Sequence, residues 1–345
     1  MSEALPFVSA VLLSYNCAEF IAEAVRSVLN QDCEPMEVVV SDDASEDETV
    51  AILVRELNSY HGPHRIDIRR RSKNSGSKSA HLNDVLRRVS GEIIVSFDGD
   101  DISEISRIPS IIKAFRCNPM VHAVYSSYSL IDEAGRPLGS GSVPHPSSKV
   151  NTKAWFANVD AYASGGTLAI RRTVFERFGS LDPDIHEDVV LPFRASLLGE
   201  VKYLDEELVK VRRHGESLTQ NFDVYDSMDS YRSRFLCGIE QARSHRDSRL
   251  FDLRTAMALV PDRIEEFEGL REIIMASMTN AETSAGLVSP SLSTRVRTLF
   301  GLLQKGYYSE AFARDACLAF APNIYLRYKR HMLRTRRKHV LRERL

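Results

Sequence analysis

The chain has 345 residues, enough for one large domain or two smaller ones, and its apolar and charged fractions are those of an ordinary globular protein. A formal net charge of −2 argues against a nucleic-acid partner for the molecule as a whole. No window approaches the roughly 18 apolar residues of a membrane span, and the short apolar run at the amino terminus predicts a strand rather than a signal peptide. The 5 cysteines have no metal-ligand spacing and fit a reducing compartment, so we expect a cytoplasmic protein.

Short strands and helices alternate over the first hundred residues. Apolar runs predict the strands, and apolar residues at helical spacing predict the helices between them. Such alternation is the sign of βαβ units and a mainly parallel sheet flanked by helices, which is an α/β fold. The predicted strands are 8–13, 36–40, 66–68 and 93–97, and the predicted helices are 18–30, 48–57 and 80–86.

The pattern is looser after residue 101. Residues 136–150 are rich in Gly, Pro and Ser and predict a flexible loop over the rim of the sheet. From about residue 223 onward the sequence is mostly helical, so we predict one domain over 1–222 and a helical region over 223–345. The remaining predicted strands are 121–127 and 163–171, and the remaining predicted helices are 108–115, 173–178 and 185–198.

Two of the strongly apolar strands end in clusters of aspartates. Asp42 and Asp43 follow one strand, and Asp98, Asp100 and Asp101 follow the other. The carboxyl ends of parallel strands meet at one edge of the sheet, which is where such sheets bind ligands. Three close carboxylates need a cation, and their hard oxygens suit Mg²⁺ or Mn²⁺ with further ligands from phosphates. The pattern predicts a metal–diphosphate site, and an exposed acidic turn is the plain alternative.

The motifs of the chain, in their order and spacing, resemble the family 2 glycosyltransferases, which have a GT-A fold and use nucleotide-activated sugars. The resemblance covers roughly residues 7–220. In chain order the motifs are Tyr15-Asn16, Ser27-Val28-Leu29-Asn30-Gln31, the Val39–Asp47 stretch close to the family's DD-G-S-x-D, Asn74-x-Gly76 with Asn83, the Asp98-Gly99-Asp100-Asp101 form of D-x-D, Glu187-Asp188, and His214.

The resemblance implies a division of roles at the diphosphate end of the donor. Asp100, the second Asp of the D-x-D motif, is the expected metal ligand, and Asp98 is expected to meet the ribose or a metal-bound water. His214 is the expected second contact to the metal or the diphosphate, with a surface histidine beside arginines as the alternative. A divalent metal there stabilises the charge that develops on the leaving diphosphate.

Four residues are candidates for the nucleotide end of the donor. Asp42 or Asp43 is expected to bind the base or the ribose, because a carboxylate accepts hydrogen bonds from the imide N–H of uracil or thymine and from hydroxyls. Tyr15 either stacks on the base or is simply a loop tyrosine. Arg71 either contacts the nucleotide or a phosphate, or stays solvated in a basic run. Ala44 departs from the family pattern, which has a glycine there that favours a left-handed backbone.

The pair Glu187-Asp188 is expected on the acceptor side. The resemblance implies inverting transfer, in which a carboxylate takes the proton of the acceptor hydroxyl as that hydroxyl attacks the anomeric carbon. Asp188 is the expected base and Glu187 is the alternative within the pair. Read without the resemblance, the two acids would only add favourable charge to the first turn of the following helix.

The carboxyl-terminal residues 324–345 are strongly basic and carry interleaved apolar side chains. A basic helix with an apolar strip is typical of peripheral contact with an anionic membrane surface. A solvated tail or an oligomer contact is the alternative. Membrane contact would suit a lipid-linked acceptor, as in surface polysaccharide assembly, and would place the protein at the inner face of the cell membrane.

The sequence therefore predicts an inverting, metal-dependent glycosyltransferase with Mg²⁺ or Mn²⁺ as cofactor. Its donor would be a nucleotide diphosphate sugar, with UDP or dTDP as the nucleotide, and its acceptor a saccharide or lipid-linked molecule. A nucleotidyltransferase that makes nucleotide sugars is one alternative, but it would want a glycine-rich phosphate loop that residues 14–17 lack. The other alternative is a non-catalytic nucleotide- or sugar-binding subunit of an assembly complex. The presence of all the acidic residues expected of an active enzyme argues against this alternative.

Overall fold

The computed structural model describes residues 7–141, 145–146, 152–215 and 228–304. These residues form two compact units. The first unit holds the residues up to His214 together with Ser248–Arg271, and the second holds Gly215–Asp247 together with the residues from Glu272 onward. The predicted domain boundary after residue 222 lies outside the described residues and stays a prediction.

A mixed sheet of nine strands forms the centre of the first unit. In chain order the strands are β1 (Val8–Ser14), β2 (Glu37–Asp42), β3 (Arg65–Arg70), β4 (Ile93–Asp98), β5 (Ile102–Ser103), β6 (Val121–Asp132), β7 (Pro137–Gly141), β8 (Ala169–Arg171) and β9 (Glu200–Arg213). Across the sheet they lie in the order β3-β2-β1-β4-β8-β6-β9-β5, and β7 pairs with β6. The first four strands of this order are parallel, and β8 joins them to the rest through antiparallel pairs. The predicted α/β architecture is confirmed.

Several helices of the first unit pack against this sheet. On the first helix, Ile21, Val25 and Val28 are buried in the same apolar cluster as Leu12 of β1 and Val38 of β2. This helical spacing of apolar residues is what predicted the element. In chain order the helices are α1 (Ile21–Leu29), α2 (Thr49–Asn58), α3 (Lys78–Leu86), α4 (Arg107–Cys117), α5 (Thr152–Ala157), α6 (Arg172–Phe178), α7 (Glu187–Leu198), α8 (Met228–Leu259), α9 (Ile264–Ser284) and α10 (Leu292–Gln304).

The register of the parallel strands brings the aspartates to one rim. Ser14, the last residue of β1, lies opposite Asp42 of β2. On the other side of β1, Leu13 lies opposite Asp98 of β4. Because parallel strands end at the same edge, both aspartate turns flank the carboxyl end of β1, as the sequence predicted.

Beyond β4 the structure differs from the sequence prediction. The predicted strand over 163–171 is a 3-10 turn at Gly165–Thr167 followed by a strand of only three residues. The predicted loop over 136–150 begins as β7, and most of its remainder lies outside the described residues. The 14-residue strand β9 was not predicted, because its charged and apolar residues do not alternate regularly and its parallel partner β6 is distant in sequence.

The second unit is helical where it is described. Tyr231 and Ile239 of α8, Ile274 and Met278 of α9, and Leu299 of α10 are buried. The predicted helical carboxyl-terminal region is therefore confirmed from Met228 to Gln304, whereas the basic segment 324–345 lies outside the described residues. Within the described part of the chain, no helix combines the length and apolarity that crossing a membrane requires.

Candidate functional site

The D-x-D turn is tightly packed against the end of β1. A Cβ atom added at Gly99 would lie 2.8 Å from the Cys17 Sγ atom and 3.1 Å from the Leu13 carbonyl oxygen. Only glycine fits between these atoms without a shift. The packing therefore fixes the turn that presents Asp98 and Asp100 on either side of the glycine.

Asp100 and His214 converge to form the candidate metal pair. The His214 Nε2 atom lies 3.0 Å from the Asp100 Oδ2 atom, and the imidazole packs against the Phe20 ring at 4.7 Å between centroids. Among the described residues there is no cluster of three or more His, Cys, Asp or Glu side chains suited to a metal. One carboxylate and one imidazole fit a divalent cation that takes its other ligands from phosphates and water.

The buried Arg212 ties the end of β9 to the aspartate turn. Its backbone N–H donates to the Asp101 Oδ1 atom at 2.9 Å, and its Nε atom donates to the Asp100 carbonyl at 3.0 Å. Its guanidinium lies over the Phe20 ring at 4.8 Å. Arg212 is only 2% exposed. It therefore supports the aspartate turn from the interior, which argues against the alternative that His214 is a surface histidine beside exposed arginines.

Lys78 links the D-x-D turn to the Glu187-Asp188 pair. Its Nζ atom lies 2.6 Å from the Asp98 Oδ1 atom and 2.8 Å from the Glu187 Oε1 atom. The lysine stands at the first residue of α3, where Ser77 caps the helix, and Glu187 stands at the first residue of α7. Burial disfavours the ammonium, but the two carboxylates outweigh it and raise the pKa of Lys78 well above its usual value.

Two glycines line the acid cluster. A Cβ atom at Gly165 would collide with the Glu187 Oε1 atom, and one at Gly166 would lie 2.8 Å from the Asp98 Oδ2 atom. A side chain at either position would displace these carboxylates. The buried Arg107 holds this glycine pair in place, because its Nη2 atom donates to the Gly166 carbonyl at 2.7 Å.

The two acids of the Glu187-Asp188 pair have different environments. Glu187 is 3% exposed and is paired with Lys78, whereas Asp188 is half-buried and has no salt bridge among the described residues. Burial of the Asp188 carboxyl, and next the charge of Glu187, raise its pKa to about 8, while Lys78 opposes the rise. A carboxylate with a pKa near the working pH can accept and release a proton.

A surface cavity of about 890 Å³ lies beside the first aspartate turn. Its lining residues come from the ends of β1, β2 and β3, and the Tyr15 ring is 49% exposed. Ala44, at the position where the family has glycine, has a φ of 63°, so the left-handed conformation is kept without the glycine. The lining residues are Tyr15, Ala44, Ser45, Glu46, Asp47, Arg70, Arg71, Ser72, Lys73 and Asn74.

Asp42 fixes the conformation of the backbone beside this cavity. Its carboxylate accepts hydrogen bonds from the Ser14 hydroxyl at 3.0 Å and from the Ser45 N–H at 2.8 Å. The side chain is buried. The expected contact with a base or ribose stays a prediction, and the carboxylate already has protein partners.

Asp43 and Arg71 hold the opposite side of the same turn. The Asp43 carboxylate accepts from the Ser75 N–H at 2.9 Å and from the Arg71 Nε atom at 3.0 Å. Arg71 also pairs with Asp84. Arg71 lines the cavity, as expected of a nucleotide contact, but its guanidinium is at the same time part of an internal ion pair.

Sequence reasoning missed Lys78, Arg107 and Arg212. Each is a cation that reaches an acid or a carbonyl far away in the chain, so no local pattern marks it. The one available signal for Lys78 was its place four residues after Asn74, just before the predicted helix 80–86.

The sheet and its acidic rim define a GT-A fold. S. aureus TarS in complex with UDP-GlcNAc has a TM-score of 0.52 over 96% of this chain and 92% of that chain, at 17% identity. The mannosyltransferase PcManGT from Pyrobaculum calidifontis, in complex with GDP-Man and Mn²⁺, also has a TM-score of 0.52, over 95% of this chain and 86% of that chain, at 18% identity. These likenesses confirm the predicted fold.

Residues 9–179 match the family model for glycosyl transferase family 2. An uncharacterized glycosyltransferase of Nostoc is 23% identical over 244 residues, which cover 69% of this chain and 74% of that protein. Chondroitin synthase of Escherichia coli is 31% identical over 137 residues, which cover 40% of this chain and 19% of that protein. The protein is a glycosyltransferase and belongs to family 2, so the predicted family and enzyme class are confirmed and the nucleotidyltransferase alternative is not supported.

Proposed function

We propose that the protein is an inverting glycosyltransferase that transfers a sugar from a nucleotide diphosphate donor to a saccharide or lipid-linked acceptor with the aid of Mg²⁺ or Mn²⁺. The observation that carries the proposal is the bridge made by Lys78 between Asp98 and Glu187. This bridge brings the first turn of α7, with Asp188, to the same rim as the metal pair Asp100 and His214. Donor-side and acceptor-side groups are thus adjacent.

Asp100 and His214 would hold the divalent cation, whose chemistry is Lewis-acid stabilisation of the leaving diphosphate. The Mn²⁺ bound to the mannosyltransferase of the same fold supports this proposal. The cavity beside β2 is the proposed nucleotide site, with Tyr15 and Arg71 in its lining. We propose UDP or dTDP as the nucleotide, since the exposed carboxylate of Glu46 in the lining can accept an imide N–H.

Asp188 is the proposed general base. Its carboxylate takes the proton of the acceptor hydroxyl while the acceptor oxygen bonds to the anomeric carbon and the bond to the diphosphate oxygen breaks. The bonding electrons leave on the diphosphate. Glu187 is the weaker candidate, because it is buried and already paired with Lys78.

Surface polysaccharide assembly is the proposed setting. Chondroitin synthase of Escherichia coli and hyaluronan synthase of Pasteurella multocida are among the relatives, and by name both make polysaccharides. The matched segments cover only 19% and 14% of those proteins, so their activities support the setting without defining the product. Attachment of residues 324–345 to an anionic membrane surface is part of the same proposal.

Replacement of Asp188 by Asn tests the proposed base. A screen of nucleotide sugars with Mn²⁺ or Mg²⁺ first identifies the donor by a rise in melting temperature. With that donor and saccharide acceptors, Asp188→Asn is expected to lower nucleotide release by about 10²–10⁴-fold while donor binding is kept. Asp184→Asn, which changes an exposed acid just before the same helix, is the matched control and should retain activity. Equal turnover in Asp188→Asn would overturn the base assignment.

A further inference from the structure

We propose that Tyr162 and Tyr128 form an aromatic platform that receives a pyranose ring of the acceptor beside Asp188. The inference rests on the proposed function, because it takes Asp188 as the group that meets the acceptor hydroxyl. It adds the class of acceptor and the residues that hold it.

Tyr162 is presented by a segment that is anchored on both sides. The side chains of Ala161 and Ala163 are buried, whereas Tyr162 is 42% exposed. The Ala161 carbonyl accepts from the Nη2 atom of the buried Arg249 at 2.9 Å, and the Ala163 N–H donates to the Asp188 carbonyl at 2.9 Å. An exposed aromatic ring on a fixed backbone, next to the proposed base, is a preorganised contact surface and loses little freedom on binding.

The course of this segment places Tyr162 on the acceptor side. After Ala163, which bonds to the backbone of Asp188, the chain continues to the glycine pair that lies against Glu187 and Asp98. The backbone of Asp188 therefore borders the segment that carries Tyr162, and the same segment leads to the glycine pair beside Glu187 and Asp98. In the proposed arrangement, an acceptor whose hydroxyl meets Asp188 from the side opposite the donor would rest its ring on Tyr162.

Tyr128 is the second residue of the proposed platform, and it comes from β6, whose Ser126 N–H donates to the Thr167 Oγ1 atom at 3.4 Å, directly after the glycine pair. It is half-buried on β6, and its ring packs so closely against Gly141 of β7 that a Cβ atom there would collide with it. Partial burial, and then the Tyr128 hydroxyl and the Asp188 carboxylate, raise the pKa of Tyr162, in agreement with the closeness of the three groups.

The chemistry of such a platform selects sugar rings. One face of a pyranose carries mainly C–H bonds, which pack against the electron-rich face of an aromatic ring. The phenol hydroxyls of Tyr162 and Tyr128 can donate to and accept from the sugar hydroxyls at the ring edge. An acyl or prenyl chain would use neither the hydroxyls nor the adjacent base, so the platform favours a saccharide as the group bound here.

Saturation-transfer NMR on the full chain tests the platform. The protein is loaded with UDP and the diamagnetic Mg²⁺ and titrated with methyl glucoside, methyl galactoside, N-acetylglucosamine, and chondroitin and hyaluronan oligosaccharides. We expect at least one saccharide to bind the wild type, with Tyr162→Ala weakening its affinity about tenfold, equal to about 1.4 kcal/mol. Tyr162→Trp should retain binding, because it keeps an aromatic face. Phe251→Ala is the control, since it removes an exposed aromatic side chain (57%) on α8.

The outcomes separate the platform from the proposed function. Equal saccharide affinity in Tyr162→Ala and wild type overturns the platform. Binding of UDP and Mg²⁺ without any saccharide, or with a polyprenyl phosphate alone, also overturns it while leaving the donor site intact. A wild type that binds none of the nucleotide sugars with either metal contradicts the proposed function instead.

Discussion

Two aspartate turns flank the carboxyl end of β1, and they use their carboxylates differently. In the turn after β2, Asp42 and Asp43 bond to neighbouring hydroxyls, backbone N–H groups and Arg71. In the turn after β4, Asp98 and Asp100 face side chains that are charged or can titrate, Lys78 and His214.

We propose that the two turns have separate tasks, one structural and one chemical. Carboxylates that are saturated by hydroxyl, backbone N–H and arginine donors hold a loop in shape, and their loss leaves buried donors unsatisfied. Carboxylates whose partners are a lysine and a histidine can exchange those partners for a cation or a ligand. We therefore expect substitutions in the turn after β2 to act mainly on stability, and those around the turn after β4 to act mainly on binding and turnover.

The largest effect is expected for Asp100→Asn. The change removes the carboxylate of the candidate metal pair. Mn²⁺-dependent nucleotide binding should therefore fall by at least about 100-fold, since substitution of residues that only support metal ligands already weakens metal binding by up to about 100-fold. Isothermal titration of UDP with and without Mn²⁺ measures it. Asp43→Asn is the matched variant in the other turn and should lower the melting temperature while keeping the metal dependence. An unchanged Mn²⁺ titration in Asp100→Asn would remove that residue from the proposed metal site.

Lys78→Met is expected to move the pH profile of turnover. The proposed base must be deprotonated, so activity falls as the pH drops through the pKa of Asp188, which is raised to about 8. Lys78 lowers this pKa, so its loss should raise the pKa and move the acid limb, the pH range in which activity falls on acidification, to higher pH. On the acid side of the profile, activity should be about tenfold lower for each pH unit by which the acid limb moves. Lys78→Arg keeps the positive charge and should keep the limb in place. A uniform loss of activity with no change of the limb would indicate that Lys78 only supports the fold.

Ala44→Gly should give the smallest effect, and one that stabilises. Ala44 has a φ of 63°, a conformation that costs an L-residue about 1–2 kcal/mol and costs glycine little. Part of this gain is offset by the larger freedom of glycine in the unfolded chain, so we expect about 0.5–1 kcal/mol of added stability. Urea unfolding measures it, and Ala44→Val should shift the midpoint in the opposite direction. A lower midpoint for Ala44→Gly would show that the turn is not strained.

The predictable part of the molecule is the part that local pattern determines. β1, β2 and β4 are buried apolar runs that lead into the rim, and two of them end in Asp, so both the strands and the shared rim could be predicted. β9 could not, because it pairs with β6 and its own alternation is broken by the acidic run 205–207. Lys78 and Arg212 were missed for a related reason. Each contacts residues on elements that are separate in sequence, and only the tertiary structure brings those elements together.

The buried ion pair between Arg194 on α7 and Asp252 on α8 limits where the chain can be truncated or recombined with a relative. The two side chains are 4% and 1% exposed, with 2.9 Å between the Nε and Oδ2 atoms. A chain that ends before Ser248 would leave the guanidinium without its carboxylate, at a cost of about 3–5 kcal/mol. That is a large fraction of the roughly 5–15 kcal/mol that holds a typical domain folded. The family model ends at residue 179, yet a chimera whose exchanged segment extends into α7 would have to inherit both halves of this pair from one parent.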